Sequence, residues 1–463
     1  MSKSASSTQF MKMTETPIPR LVLMLSVPSI LSMLVTNVYN LVDTAFVGRL
    51  GTSASGAVGI VFGFMSIIQA FGFMFGQGSG SILSRAPGRQ DREAASVHAS
   101  VGFFGAFSCG LIISILGFLF LDDIVMFLGS TDTIAPFAKT YISFILASAP
   151  FMCSSFTLNN MLRYEGKAYL GMIGLMSGAV LNMAGDPILM FGLGMGIAGA
   201  GLSTALSQLV SWGILISMFL TGRTESRLHL SKAISAGPAI AANIMATGFP
   251  SLLRQGLNSI ATVVLNSQCK FYGDAAVAAM SIVLRIVFFT FSIALGVGQG
   301  FQPVSAFNYG ARKYSRIREG YRFTMLFAEG IILAGVAVLV VFAAPLVGML
   351  RDDPDVIAIG TRALRLLALA NLLLPPCMVT EMLYQSTGHR LGATMLSALR
   401  SGILFIPAIL ILSHLRGIAG IQEAQPLAVA LSFPITILFA ITFFRKLPEK
   451  DECHPERSEG SFT

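Results

Sequence analysis

The chain has 463 residues, of which 54% are hydrophobic and only 12% charged; its mean hydropathy is +0.73. A soluble domain carries about 25% charged residues, so a large soluble enzyme is excluded. The formal charge of +8 comes from 31 Lys and Arg against 23 Asp and Glu, an excess that membrane proteins use for topology rather than for nucleic acid, and no nucleic-acid partner is expected.

A spanning helix needs about 20 apolar residues, so about twelve spans account for most of the length. Apolar runs between charged or Gly/Pro breaks predict spans near 21–48, 54–80, 97–121, 134–162, 168–192 and 196–220, then near 236–268, 276–308, 322–348, 355–387, 391–414 and 418–444. The expected class is an all-α polytopic membrane protein of twelve transmembrane helices in two six-helix lobes. The polar stretch GRTESRLHLSK at 222–232 is the natural linker. The expected divisions are a tail at 1–18, lobes at 19–221 and 236–445 joined by residues 222–235, and a disordered tail at 446–463. The first 16 residues show no signal-peptide cleavage site. The cysteines 109, 153, 269, 377 and 453 form no CxxC pair and read as buried small hydrophobes.

An internal repeat underlies the two lobes. At an offset of about 222 residues Pro28 falls on Pro250, Gly51 on Gly273, Gly76-Gln77-Gly78 on Gly298-Gln299-Gly300, Gly88 on Gly310 and Gly166 on Gly388. Each unit has an even number of spans, so the units are parallel repeats about an axis along the membrane normal, with a cleft between them. Basic loops, including Arg85, Arg89, Arg92, Arg223, Arg227, Lys232, Arg312, Lys313 and Arg316, lie on the side of both termini. That side is expected to be cytoplasmic.

An ionisable group at membrane depth is functional by default. Thr36, Tyr39, Asn40 and Asp43 recur at helical spacing on the first span, and Asn182 precedes Asp186 by one turn on the fifth. Carboxylates there can carry a proton, and the same oxygens can ligate Na⁺; the residues themselves leave the two open, along with a purely structural role. The second half has Leu265 and Ala408 at the equivalent positions, and its charges within spans are Arg254, Arg285, Glu329, Glu381 and Arg400. Some of these are expected to pair with one another, leaving ion chemistry to the first half.

The runs YNLVDTAFVGRLG (39–51), SRAPGRQDREAA (84–95), LRYEGKA (162–168), LNMAGDPILMFGLGMGIAGAGLSTALSQ (181–208) and GVGQGFQPVSAFNYGARKYSRIRE (296–319) resemble the multidrug and toxic compound extrusion family in its bacterial branch, over about residues 15–445. The resemblance implies a V-shaped molecule of two lobes that exports cationic, lipophilic drugs in exchange for H⁺ or Na⁺ and needs no other cofactor. It further implies a first-lobe polar cluster at Tyr39, Asp43, Tyr141, Asn159, Asn182, Asp186 and Thr204, with Asp43, Asn182, Asp186 and Thr204 as the oxygen set for Na⁺. The family's second-lobe sodium site uses acids on the seventh and tenth helices, where this chain has Arg254-Gln255 and Glu381.

A promiscuous cavity favours adaptable and aromatic side chains. The candidates are Met33, Met65, Phe151, Met161, Phe288, Phe289 and Met378, with the polar residues Asn40, Arg254, Asn258, Arg285 and Glu381. The expected partners are small organic cations and the lipid bilayer, with the protein acting as a monomer in the inner membrane of a prokaryote. A lipid-linked oligosaccharide flippase of related fold is the alternative, kept open by the buried arginines. A membrane enzyme is not expected: Asp122-Asp123 and Asp352-Asp353 lack the further acids of a diphosphate site, and His98, His229, His389, His414 and His454 sit at helix ends or in tails.

Overall fold

The computed structural model describes residues 10–88 and 91–451. The readings of residues 1–9 and 452–463, with Cys453 and His454, fall outside the described residues, as does Arg89. Twelve long helices cover most of what is described: α1 Ile18–Gly48, α2 Thr52–Gly88, α3 Arg92–Leu119, α4 Ala135–Tyr164, α5 Ala168–Gly192, α6 Gly196–Leu220, α7 Pro238–Lys270, α8 Asp274–Gly310, α9 Tyr314–Val341, α10 Pro354–Thr387, α11 Arg390–Arg416 and α12 Ile418–Lys446. No strand occurs among the described residues.

Their ends follow local chemistry. Proline occupies the first turn of α1, α7 and α10, where its missing N–H costs nothing. Asp91 caps α3 by accepting from Ala94 N at 3.0 Å, and Asp353 caps α10 through Asp355 N and Val356 N. Gly166 and Gly388, in register in the repeat, follow α4 and α10 with φ of +75° and +88°, the left-handed conformation that glycine adopts without strain.

By length and composition, eleven of the helices can cross a membrane. The twelfth, α7, is as long but carries Asn243, Thr247, Ser251, Arg254, Gln255 and Asn258. Its Thr247, Ser251 and Arg254 are buried, and Gln385, Glu381 and Arg390 of the same lobe supply hydrogen-bond partners to these and to Asn243 that lipid would not. The prediction of twelve spans therefore holds for the fold while one of them is too polar to register by hydropathy. The span expected at 322–348 divides into α9 and a short helix Ala343–Leu350.

The repeat is realised in the way the lobes touch. A Cβ on Gly78 of α2 would lie 2.1 Å from Ile244 O and 3.0 Å from Gly248 N on α7; a Cβ on Gly300 of α8 would lie 2.2 Å from Ser26 Oγ on α1. Ser26 and Gly248 are themselves one repeat apart, so the same crossing is made twice, as a twofold axis demands. The backbones approach too closely for any methyl group, which is why the Gly-Gln-Gly triplet recurs.

Hydrogen bonds between the lobes are Ser26–Val297 O, Asn37–Ser292 Oγ, Ser84–Pro303 O, Arg85–Thr387 O and Arg163–Gln299 Oε1. Four of them lie toward the face at which α1 begins and α12 ends, here called the terminal face, and Asn37–Ser292 lies near mid-depth. The lobes are joined on that side. Helix α1 belongs to both lobes: Leu21, Val22 and Leu25 are buried with Phe301, Val304 and Val379, whereas Val47 belongs to the first-lobe core. Pro28 lies between these halves and breaks the helical hydrogen-bond ladder.

Candidate functional site

Four helices of the first lobe converge on one polar cluster. Asp43 on α1 is 8% exposed and Asp186 on α5 is fully buried; their carboxyl groups are in side-chain contact. Asn182, one turn before Asp186, donates toward Asp186 Oδ1 at 3.3 Å, Thr204 Oγ1 at 3.3 Å and Ser203 Oγ at 3.4 Å. Tyr39 neighbours both acids, and Tyr141 on α4 lies beside Thr204 on α6. Close packing of α5 on α6 makes this possible: a Cβ on Gly185 would fall 2.6 Å from Ser203 Oγ, and one on Gly199 2.7 Å from the Leu189 backbone. Beyond Pro187 the helix relaxes into a π turn, Ile188–Gly192, as helices do at functional irregularities.

The cluster is rich in acceptors. Asp43 Oδ1, Asp186 Oδ2 and Asn182 Oδ1 are buried without a hydrogen-bond donor, a costly arrangement that a shared cation relieves. A proton between the two acids satisfies them, and so does a Na⁺ held by carboxylate, amide and hydroxyl oxygens, since hard cations take oxygen ligands. Among the described residues no group of three or more His, Cys, Asp or Glu is placed to hold a metal ion, so the oxygen set is two carboxyls and neutral groups.

The remaining expected residues divide. Asn159 stands apart from the cluster, about 27 Å further along α4 than Tyr141 at 1.5 Å per residue; with Met33, Ser29, Ser32, Arg163 and Gln299 it lines a small buried cavity at the lobe seam. Met65, Met161 and Met378 lie in the hydrophobic cores of the lobes rather than along the cleft, because their apolar faces are fully used in packing. Phe151 packs edge-on between Phe107 and Trp212. Asn40 and Phe289 are half-buried and Arg285 and Phe288 exposed, Phe288 stacking on Phe291.

In the second lobe Arg254 Nη1 meets Glu381 Oε1 at 2.5 Å, and Ser397 Oγ donates to the same oxygen at 2.6 Å. Asn258 sits one turn beyond Arg254, half-buried. Arg400 lies over the Phe291 ring, 5.1 Å from its centroid, a cation–π contact. Of the five second-half charges, then, only Arg254 and Glu381 form an ion pair; Glu329 has none among the described residues. Sequence reasoning missed Ser203, the residue before Thr204, which has no distinguishing neighbour. It also missed Arg163, which its position at the end of a span disguised as a loop charge.

The MatE family model matches residues 28–188 and again 250–411, one match per lobe. The chain belongs to the MatE family. Multidrug export protein MepA of Staphylococcus haemolyticus is 27% identical over 86% of this chain and 87% of its own length. The Staphylococcus aureus protein of that name is 27% identical over 90% and 92%. Among solved structures, an outward-facing conformation of a multidrug resistance MATE family transporter of the MOP superfamily superposes with a TM-score of 0.89 at 26% identity, over 94% of this chain and 98% of that one. A MOP superfamily transporter from Pyrococcus furiosus, described as having a binding pocket of reverse polarity, gives 0.89 at 25% identity over 95% and 99%. The protein is thus a multi-pass membrane transporter of the MatE family.

Proposed function

We propose that the protein is a secondary antiporter that exports amphipathic organic cations and drugs across the inner membrane of a prokaryote in exchange for H⁺ or Na⁺. The observation that carries this reading is the first-lobe cluster, where Asp43, Asp186 and Asn182 together leave three buried acceptor atoms in need of a cation. The terminal face is cytoplasmic in this reading, as the basic loops require, and the lobes are residues 19–221 and 236–445 with the linker 222–235 between them. Export by similar proteins named for multidrug export agrees with it.

Coupling runs through α1. A cation entering from the open side binds Asp43 and Asp186, altering the charge on the outer half of α1 and on α5. The inner half of α1 is packed in the second lobe, so a change of bend at Pro28 acts directly on the seam that closes the cytoplasmic face. Each charge moving down 100 mV supplies about 2.3 kcal/mol, enough for a gradient of roughly 50-fold at about 1.4 kcal/mol per tenfold. No step makes or breaks a covalent bond, and one copy of the chain contains the whole pathway.

The test is efflux of a cationic dye from proteoliposomes under separate pH and Na⁺ gradients, for the natural protein, Asp43→Asn and Asp186→Asn. One gradient is expected to drive efflux and thereby name the ion, with both variants folded and inactive. Variants of full activity would make the acids structural. The second reading, flipping of a lipid-linked anionic headgroup, is favoured by the buried Arg163 and Arg254 and the half-buried Arg400; headgroup translocation with no dye efflux under either gradient would establish it.

A further inference from the structure

Arg163 is 3% exposed at the end of α4. Its Nη1 donates to Gln299 Oε1 of the opposite lobe at 2.6 Å and its Nη2 to Asn160 Oδ1, while Nε has no partner. Among the described residues no carboxylate pairs with it. The charged side chain beside it is another cation, Arg254, and the acid nearby, Glu381, is already engaged by Arg254 and Ser397. Arg163 is thus a buried charge without a counter-ion, which a protein interior tolerates poorly.

Its surroundings add donors rather than acceptors. Gln77 and Gln299, the two equivalent glutamines of the repeat, are fully buried. Gln77 Oε1 accepts from Tyr164 Oη at 3.0 Å, and Gln299 Oε1 accepts from Arg163, so the amide nitrogens of both are left unpartnered. Arg163 and Gln299 face the seam cavity that Ser29, Ser32 and Asn159 also line. An uncompensated guanidinium with spare N–H groups around it matches the charge and hydrogen-bonding needs of an anion.

We infer that the seam cavity, whose volume of about 10 Å³ admits a single species little larger than water, binds one halide ion between Arg163 of the first lobe and Gln299 of the second. Because its two principal partners belong to different lobes, the anion acts as a clamp that favours the conformation closed at the terminal face. Its affinity is for this conformation, since parting the lobes separates the partners. Ligand binding to one state stabilises that state in proportion to the differential affinity.

The experiment is thermal unfolding of the purified full-length chain in detergent, in sodium bromide, chloride or acetate, each against sodium gluconate, too bulky for the cavity, at equal sodium. The natural protein is expected to gain about 2–4 °C in Tm, saturably, as site binding requires. Arg163→Gln is expected to lose the response. Gln299→Glu, which supplies its own carboxylate to Arg163, is expected to show a raised Tm in gluconate and no further response, and it carries the test if Arg163→Gln does not fold. A response to bromide and chloride alone supports the halide site; an equal response to acetate, which a cavity of about 10 Å³ does not admit, overturns the proposal. An absent response in the natural protein, or an unchanged one in Gln299→Glu, overturns the proposal. The readout involves no transport, so it stands or falls independently of the export reading.

Discussion

The two lobes share one fold and differ in chemistry at equivalent places. Asp43 of α1 and Asp186 of α5 meet in the first lobe, but the residues one repeat away are Leu265, buried in the second-lobe core, and Ala408, packed against it. The second lobe places its charge on α7, α10 and α11 instead, and there Arg254 neutralises Glu381 within the protein. The seams, by contrast, are the same twice over, Gly78 on α7 and Gly300 on α1. Symmetry is thus kept where the lobes pack on each other and abandoned at the buried carboxylates, which are paired with a guanidinium in the second lobe only.

The strongest way to break that contrast is to remove the tether. Arg254→Gln leaves Glu381 buried and unpaired and is expected to lower stability by about 3–5 kcal/mol, whereas the double replacement Arg254→Met with Glu381→Met is expected to be close to neutral. Denaturant or thermal unfolding of the natural protein and the two variants measures both. If Arg254→Gln instead acquires Na⁺-dependent stability, an ion has taken the place of the guanidinium beside Glu381.

Next in size is the first-lobe acid pair. Asp43→Asn or Asp186→Asn is expected to reduce gradient-driven efflux on the order of 100-fold, equivalent to about 2.7 kcal/mol at 1.36 kcal/mol per tenfold. Unfolding temperature should barely move, because an amide is isosteric and the site already lacks donors. A comparable loss from Glu381→Gln alone would show that the lobes share the coupling.

The seams should respond alike. Gly78→Val and Gly300→Val each drive a side chain into backbone or Ser26, with an expected cost of about 1–3 kcal/mol to the closed arrangement. Spin-label distances across the terminal face should lengthen in both; lengthening in only one would show that the twofold relation is not mechanical.

The smallest effect concerns the turns after Gly166 and Gly388. In the first lobe Lys167 binds Arg223 O at 2.7 Å. In the second, the equivalent His389 packs on Tyr309, Tyr384 and Phe443, and burial, with Arg85 and Lys446 nearby, lowers its pKa from 6.5. As pH falls through 6.5 the unfolded chain takes up that proton before the folded one, so this stability is complete above 6.5 and is lost below it. His389→Gln is expected to flatten the Tm profile between pH 5 and 7 by about 1–2 °C, while Lys167→Gln should leave the slope unchanged.

Much of this was legible in the linear chain. The acids Asp43 and Asp186 stood out because hydrocarbon makes any carboxylate conspicuous, and the Gly-Gln-Gly pair announced the repeat because only close backbone contact requires glycine at one place twice. Methionine gave no such signal: Met65, Met161 and Met378 are as suited to a core as to a cavity, and they are in cores. Arg163 was invisible because a cation at the end of a span looks solvated until the helices are assembled around it.

Apolar period, turn glycines and charge bias by themselves determined that there are twelve helices and that they form two copies of one unit, because each of these depends on neighbours along the chain. Tertiary structure alone decided which polar groups meet. That Asp43 touches Asp186, that Arg254 silences Glu381, and that Arg163 faces a buried cavity without a carboxylate all depend on helix rotation and crossing, set by close packing among residues more than a hundred positions apart.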